Sequence, residues 1–300
     1  PASVYLAANK THLMSHEKLN TPCPLATNVY PWYTFYKRQG RDFEADLEGF
    51  IKEVKQSGAD SLEPVLKSAE STDRLSDVMS NQGVAMVSAY VNSELHEKGS
   101  SQESIETVIR LATQAQVRMG TKIIVTNPSP INWEGPENKT DDQILVQGEA
   151  LNQLGEALSV EGLTLAYHNH DPELRLAARE FHHMLASTDP EHVKFCLDSH
   201  WIYRGSGNSN VVLYDVIRLY GDRIVELHIR QSQNGIWTET FGDGDIDYDR
   251  LTKTLNNRCI RPLITIEQAV EEKSLNTMNS LEAHKISHAQ ARKTFAPFLA

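Results

Sequence analysis

The chain has 300 residues and a formal net charge of −11, and its 40% hydrophobic and 23% charged content is ordinary for a globular protein with a large core. That acidic balance, with no stripe of Lys and Arg, argues against a nucleic-acid partner. No apolar run approaches the roughly 20 residues of a spanning helix, so no membrane is expected either.

Cys23, Cys196 and Cys259 form no CxxC pair, so neither a zinc ribbon nor a redox motif is expected. The numbering opens at Pro1 without Met, which points to a missing upstream piece. The compartment therefore stays open: cytoplasmic or, if a signal peptide was removed, periplasmic.

Residues 1–25 are polar and read as an N-terminal extension. Asn28-Val29-Tyr30-Pro31-Trp32 reads as a first strand and its exit loop. From Asp42, Phe43, Leu47, Phe50, Ile51 and Val54 mark one helix face. Ser61-Leu62-Glu63 is a short strand, residues 65–81 a helix and residues 84–90 a third strand. Ile105, Val108, Ile109 and Ala112 mark the next helix, before a fourth strand over Lys122 to Thr126. A Pro- and Gly-rich loop, a helix over Asp141 to Val160 and a fifth strand from Leu163 follow. The later helices are expected over Glu173 to Ala186, Val211 to Tyr220, Tyr248 to Asn256 and Leu281 to Phe295, alternating with strands. Gly58, Gly83, Gly120, Gly162 and Gly221 punctuate the helix-to-strand junctions, where a left-handed residue commonly ends a helix. This alternation indicates parallel α/β architecture. Eight units favour a closed (β/α)8 TIM barrel, one domain over residues 26–300. No GxGxxG or Walker-type loop supports a nucleotide.

Four late strands share a pattern. In the Leu163 segment, Leu165 and Tyr167 alternate with Ala166 and His168; His170 lies just beyond. In Val193 to Asp198, Phe195 and Leu197 oppose the face that ends in Asp198 and His200. Val225, Leu227 and Ile229 oppose Glu226, His228 and Arg230, and Ile264 and Ile266 oppose Thr265 and Glu267. Bulky residues outward and functional groups at the carboxyl ends describe a barrel mouth. His168, Asp198, His228 and Glu267 would then converge, and burying them without a cation would be costly. Imidazole and carboxylate on rigid strands suit a divalent ion: Mn2+, Mg2+, Co2+ or Zn2+. Glu173 is an alternative to His168 as the ligand. Around the ion, His200, Arg230, Glu63, Trp32 and Trp201 are candidate substrate contacts, with Tyr30 as a further aromatic wall. Arg204 or Arg230 could instead be simple ion-pair partners. Phe241-Gly242-Asp243-Gly244-Asp245-Ile246-Asp247 lacks EF-hand spacing and reads as a turn.

The pieces Tyr167-His168-Asn169-His170, Leu197-Asp198-Ser199-His200-Trp201, Leu227-His228-Ile229-Arg230, Gly242-Asp243-Gly244-Asp245-Ile246-Asp247 and Ile266-Glu267-Gln268 stand in an order that resembles the sugar phosphate isomerase/epimerase superfamily of xylose isomerase-like barrels. That resemblance covers about residues 26–300. It implies a metal held by Asp198, His228 and Glu267, with a further Glu at the place of His168. His168 is a departure, because in the epimerases the two glutamates also form the proton-transfer pair. The resemblance further implies a small-molecule sugar substrate and leaves a homo-oligomer open. Glu267 is the expected base, with His170 or Glu173 as acid. An isomerase or epimerase is the first expectation, a dehydratase or keto-glycoside lyase the second, and a non-catalytic sugar-binding barrel the third.

Overall fold

The computed structural model describes residues 23–299. Its sheet contains β1 (Leu25–Asn28), β2 (Ser61–Glu63), β3 (Ser88–Tyr90), β4 (Ile123–Thr126), β5 (Thr164–His168), β6 (Val193–Asp198), β7 (Ile224–Ile229) and β8 (Leu263–Ile266). Each pairs in parallel with its sequence neighbour, and β1 pairs with β8. Only β2 and β3 meet through isolated bridges, Ser61 to Ala85 and Val65 to Tyr90. The result is a nearly closed TIM barrel, as expected. The expected extension over residues 1–25 falls mostly outside the described residues, and its last residue, Leu25, already belongs to β1.

Helices α1 (Val29–Arg38), α2 (Leu47–Gln56), α3 (Ala69–Gln82), α4 (Lys98–Met119), α5 (Asp141–Val160), α6 (Arg175–Ser187), α7 (Ser199–Gly205), α8 (Asn210–Tyr220), α9 (Tyr248–Asn257) and α10 (Ser280–Thr294) surround the sheet. The outward strand residues Leu165, Tyr167, Phe195, Leu197, Leu227, Ile229, Ile264 and Ile266 pack with them in one apolar cluster. Each such side chain contributes roughly 1.5–3 kcal/mol on burial.

Several local expectations need correction. Tyr30 to Trp32 are helical, because the Asn28 side chain accepts from Tyr30 N at 2.7 Å and starts α1 at once. Helix α6 is preceded by a 3-10 turn at Pro172–Leu174 and contains in its first turn a left-handed stretch at Leu176, Ala177 and Ala178, with φ of 52°, 59° and 57°. Left-handed backbone costs ordinary residues about 1–2 kcal/mol each. Anchorage of Arg175 to the carbonyls of Trp133 and Gly135, both at 2.7 Å, fixes the chain beside this turn. Gly221 is right-handed at φ −56°. Crowding explains it, since a Cβ there would meet Arg258 Nη1 at 2.9 Å. Gly58, Gly83, Gly120 and Gly162 do have positive φ.

On α10, His284 stacks on Trp32 with ring centroids 3.7 Å apart, and His288 is buried a turn later. Burial, then the neighbouring His288, lowers His284 to about 3, and burial lowers His288 to about 4. A depressed folded-state pKa gives stability that is present above the unfolded value near 6.5 and lost as pH falls through the folded value. Chemical denaturation should therefore show stability falling between pH 6.5 and pH 3, by on the order of 3 kcal/mol per ring. His288→Leu should flatten that slope.

Candidate metal centre at the barrel mouth

A bulge decides the site's register. Phe195 pairs with Ile224 but Cys196 pairs with Glu226, so Val225 is the extra residue. Without it Asp198 would lie beside Leu227, an outward residue. With it Asp198 lies beside His228 and both face inward. His168 is level with Cys196, two residues short of Asp198, while Glu267 stands two beyond Thr265, the neighbour of His228.

Despite this stagger, one donor atom from each of His168, Asp198, His228 and Glu267 lies within 4.8 Å of the others. His168 Nε2 is 3.1 Å from His228 Nδ1, and His228 Nδ1 is 3.2 Å from Glu267 Oε2. Asp198 Oδ2 is 3.8 Å from His168 Nε2. Donors bound at roughly 2.0–2.2 Å from one ion stand about 3–4 Å apart, so these spacings fit. Asp198 Oδ2 is also fully buried without a hydrogen-bond partner, as a side chain awaiting a cation would be. Its other oxygen accepts from Trp201 N at 2.8 Å and caps α7, a helix that the sequence reading missed.

Electrostatics agree with this fit. Burial pushes the Asp198 carboxyl up to about 7 against the pull of Arg230. Burial, followed by the nearby His170, holds His168 well below the usual histidine range. Burial opposes the charge on Glu267, yet Arg230 and His228 keep it ionised, well below the usual carboxylate range. Burial likewise opposes a charge on His228, but Cys196 and Glu63 raise its pKa well above the ordinary value. A divalent ion at His228 Nδ1 would take the place of that proton.

Glu63, a candidate substrate contact, lies fully buried beneath His228, with Oε1 3.1 Å from Nε2. Asn28 Nδ2 donates to the same oxygen at 2.6 Å. Glu226, which sequence reasoning placed on the inner face without a role, accepts from Ser88 and Thr265 and lies 3.5 Å from His228 Nε2. Carboxylates behind a ligand imidazole fix its tautomer and orientation. Glu173 lies apart from the donors: its oxygens accept from Asn127 Nδ2 at 3.1 Å and His170 N at 2.7 Å, so it ties the loop after β5. Trp32 is not a sugar wall. It is buried in the core, and its Nε1 donates to Thr27 at 3.2 Å.

Arg230 is fully buried; its Nε donates to Glu267 O at 2.8 Å and its Nη2 lies 3.0 Å from Glu267 Oε2. Its guanidinium carbon lies 4.2 Å from the Trp237 ring centre and 5.1 Å from that of Trp201. Trp237 belongs to a short hairpin, Ser232–Gln233 with Ile236–Trp237, which lies after β7 and whose strands are too brief to show periodicity. His170 stands at the mouth, its ring 4.9 Å from that of Trp133 and 4.6 Å from that of His168.

The turn over residues 241–247 builds that hairpin. Asp245 accepts from Ser232 Oγ at 2.6 Å, Asn234 N at 2.9 Å and Gly235 N at 2.8 Å. Ser232 Oγ, its proton given to Asp245, accepts from His200 Nε2 at 2.9 Å. This leaves His200 Nδ1 unprotonated and without a partner. Burial, then Arg230, keeps His200 neutral, with a pKa of about 2. Gly244 permits the close approach, since a Cβ would fall 2.3 Å from Ser232 O and 2.5 Å from Gln231 Cδ. Gly244→Ala should therefore cost about 1–3 kcal/mol, read as a fall in melting temperature.

Residues 51–289 match the xylose isomerase-like TIM barrel family, and the chain belongs to it. It is 24% identical over 178 residues to an inosose dehydratase of Clostridium perfringens, a match covering 50% of this chain and 58% of that protein. A sugar phosphate isomerase/epimerase of Parabacteroides distasonis shares the fold with a TM-score of 0.69 at 18% identity, over 94% of this chain and 97% of that one. A xylose isomerase-like barrel protein of Mycobacterium smegmatis, in complex with magnesium, superposes with a TM-score of 0.71 at 13% identity, over 92% of this chain and 98% of that one.

Proposed function

We propose that the protein is a metal-dependent isomerase or epimerase that removes the proton α to the carbonyl of a keto sugar or polyol derivative. The observation that carries this reading is the meeting of His168, Asp198, His228 and Glu267 around one point, with Asp198 Oδ2 buried and unpartnered. These four residues would hold Mn2+, Mg2+, Co2+ or Zn2+. Bound there, the ion would supply Lewis-acid polarisation of the carbonyl and its neighbouring hydroxyl.

The chain supplies the rest. Glu267 is ionised and is the base. Arg230, locked by Glu267 and the two tryptophans, keeps Nη1 free of any partner for the oxyanion that develops. His200 Nδ1 accepts a substrate hydroxyl. Glu267 returns the proton to carbon, while His170, held neutral by burial with a pKa of about 3, lines the mouth.

One observation favours dehydration as the second reading. His168 occupies the place where the resembled epimerases carry a second glutamate, so one carboxylate faces imidazoles rather than a matching carboxylate. After Glu267 takes the α proton, the same carboxyl would pass it to a β-hydroxyl, which leaves as water. The inosose dehydratase relative supports this outcome.

Incubation of the metal-loaded protein with a panel of keto sugars and keto-inositols in D2O separates the readings. Deuterium entering a sugar of unchanged composition supports isomerisation, and loss of one water supports dehydration. Glu267→Gln should lower either rate by at least about 100-fold. Undiminished turnover in that variant would remove Glu267 as the base, and a panel bound without exchange or loss would indicate a non-catalytic sugar binder.

A further inference from the structure

Trp237 carries a polar atom that the fold leaves unused. The residue is 5% exposed, and its indole Nε1 is buried with no hydrogen-bond partner. A buried N–H without an acceptor is costly, and native interiors hold few of them. The chain nevertheless fixes this side chain in place. Trp237 N donates to Glu271 Oε1 at 2.9 Å, and both oxygens of Glu271 accept from Arg204 at 3.0 Å. Arg204 also donates to Gly235 O at 2.7 Å, so the hairpin is strapped to the loop after β8. Asp245 holds the hairpin's turn.

The indole stands among the groups that face the substrate. Arg230 lies over its ring at 4.2 Å, and Trp201 meets it edge-on at 5.6 Å. The rings of Trp237 and His200 cross at 81° with centroids 6.1 Å apart. His200 is its counterpart: it is buried, and its Nδ1 has neither a proton nor a partner. One network makes both. Ser232 gives its proton to Asp245 and accepts from His200, and the hairpin that Ser232 opens ends in Trp237. A pure donor and a pure acceptor therefore stand side by side next to Arg230. From the mouth they are reached past His170 and Trp201, both half-buried, with ring centres 5.7 Å apart.

A hydroxyl answers such a pair. It donates one proton and accepts on its lone pairs at the same time, which neither a carbonyl nor a carboxylate can do. An oxygen held at roughly 2.9 Å by each of two nitrogens spans up to about 5.8 Å, the scale of the ring separation. We propose that Trp237 is a specificity-determining residue, donating from Nε1 to a substrate hydroxyl that itself donates to His200 Nδ1. The inference rests on the keto-sugar reading above and adds the group by which a hydroxylated ligand is told from its deoxy analogue. Without that hydroxyl both nitrogens stay unpaired, and sites built to bind a hydroxyl reject such analogues strongly.

Isothermal titration of the metal-loaded protein with D-fructose, D-allulose and scyllo-inosose, each beside its single-deoxy derivatives, reads the pair directly. At least one of the three is expected to bind Trp237→Phe about tenfold more weakly than the parent protein, the scale of one hydrogen bond. For one of its deoxy derivatives that ratio should fall to near one, because the group that Trp237 serves is gone. Phe keeps a ring on Arg230, so melting temperature and metal content should match the parent. A Trp237 that merely packs would weaken a ligand and all its deoxy derivatives alike. That result, equal binding of every ligand to both proteins, or no binding at all overturns the proposal. Titration does not depend on turnover. Coupling to one hydroxyl without deuterium exchange would remove the proposed reaction and leave the subsite, and exchange without coupling would do the reverse.

Discussion

Asp198→Asn is expected to strip the protein of its metal. The substitution keeps the acceptor that Trp201 N uses at 2.8 Å, so α7 stays capped and the fold survives. It removes the anionic Oδ2, which has no hydrogen-bond partner to lose. Altering groups behind a metal ligand typically costs 10–100-fold in affinity, so loss of a ligand itself should cost at least about 100-fold. Elemental analysis after gel filtration should fall to background while circular dichroism stays unchanged. Retention of a full equivalent of metal would remove Asp198 from the donor set.

Arg230→Met is expected to produce an effect whose size depends on metal. Arg230 and Glu267 form a buried pair, with Nη2 and Oε2 3.0 Å apart. Removing one partner of such a pair commonly costs about 3–5 kcal/mol, because the other charge is left uncompensated. In chelator, the variant should therefore melt well below the parent. With saturating Mn2+ or Zn2+, a cation again faces Glu267 and most of the gap should close. A gap that ignores metal would mean that Glu267 does not face the ion. Turnover should fall in either case, since the guanidinium is the fixed positive group beside the reacting centre.

Much of the barrel was legible in the chain because a strand's period of two sorts side chains by face. Tyr167, Phe195, Leu197 and Leu227 announced an outward layer, and His168, Asp198, His228 and Glu267 the opposite one. Helix α5 runs over Asp141–Val160 as its sequence pattern indicates, helped by the Thr140 and Gln143 capping box. Helix α1 was misread because residues 28–32 carry strand-like aromatics, whereas its start depends on a single cap at Asn28. Trp32 was offered as an aromatic wall for a sugar, and the helix sent it into the core against His284.

What the sequence determined by itself was alternation: which residue types share a face and where the chain turns, since both follow from local backbone geometry. Tertiary structure alone decided depth and register. The extra residue Val225 brought Asp198 level with His228. Distant segments set Glu63 beneath the imidazole and joined Asp245 to Ser232 and His200. Those contacts link residues far apart in the chain, so no local period could encode them; they follow from how the barrel closes and how tightly its interior packs.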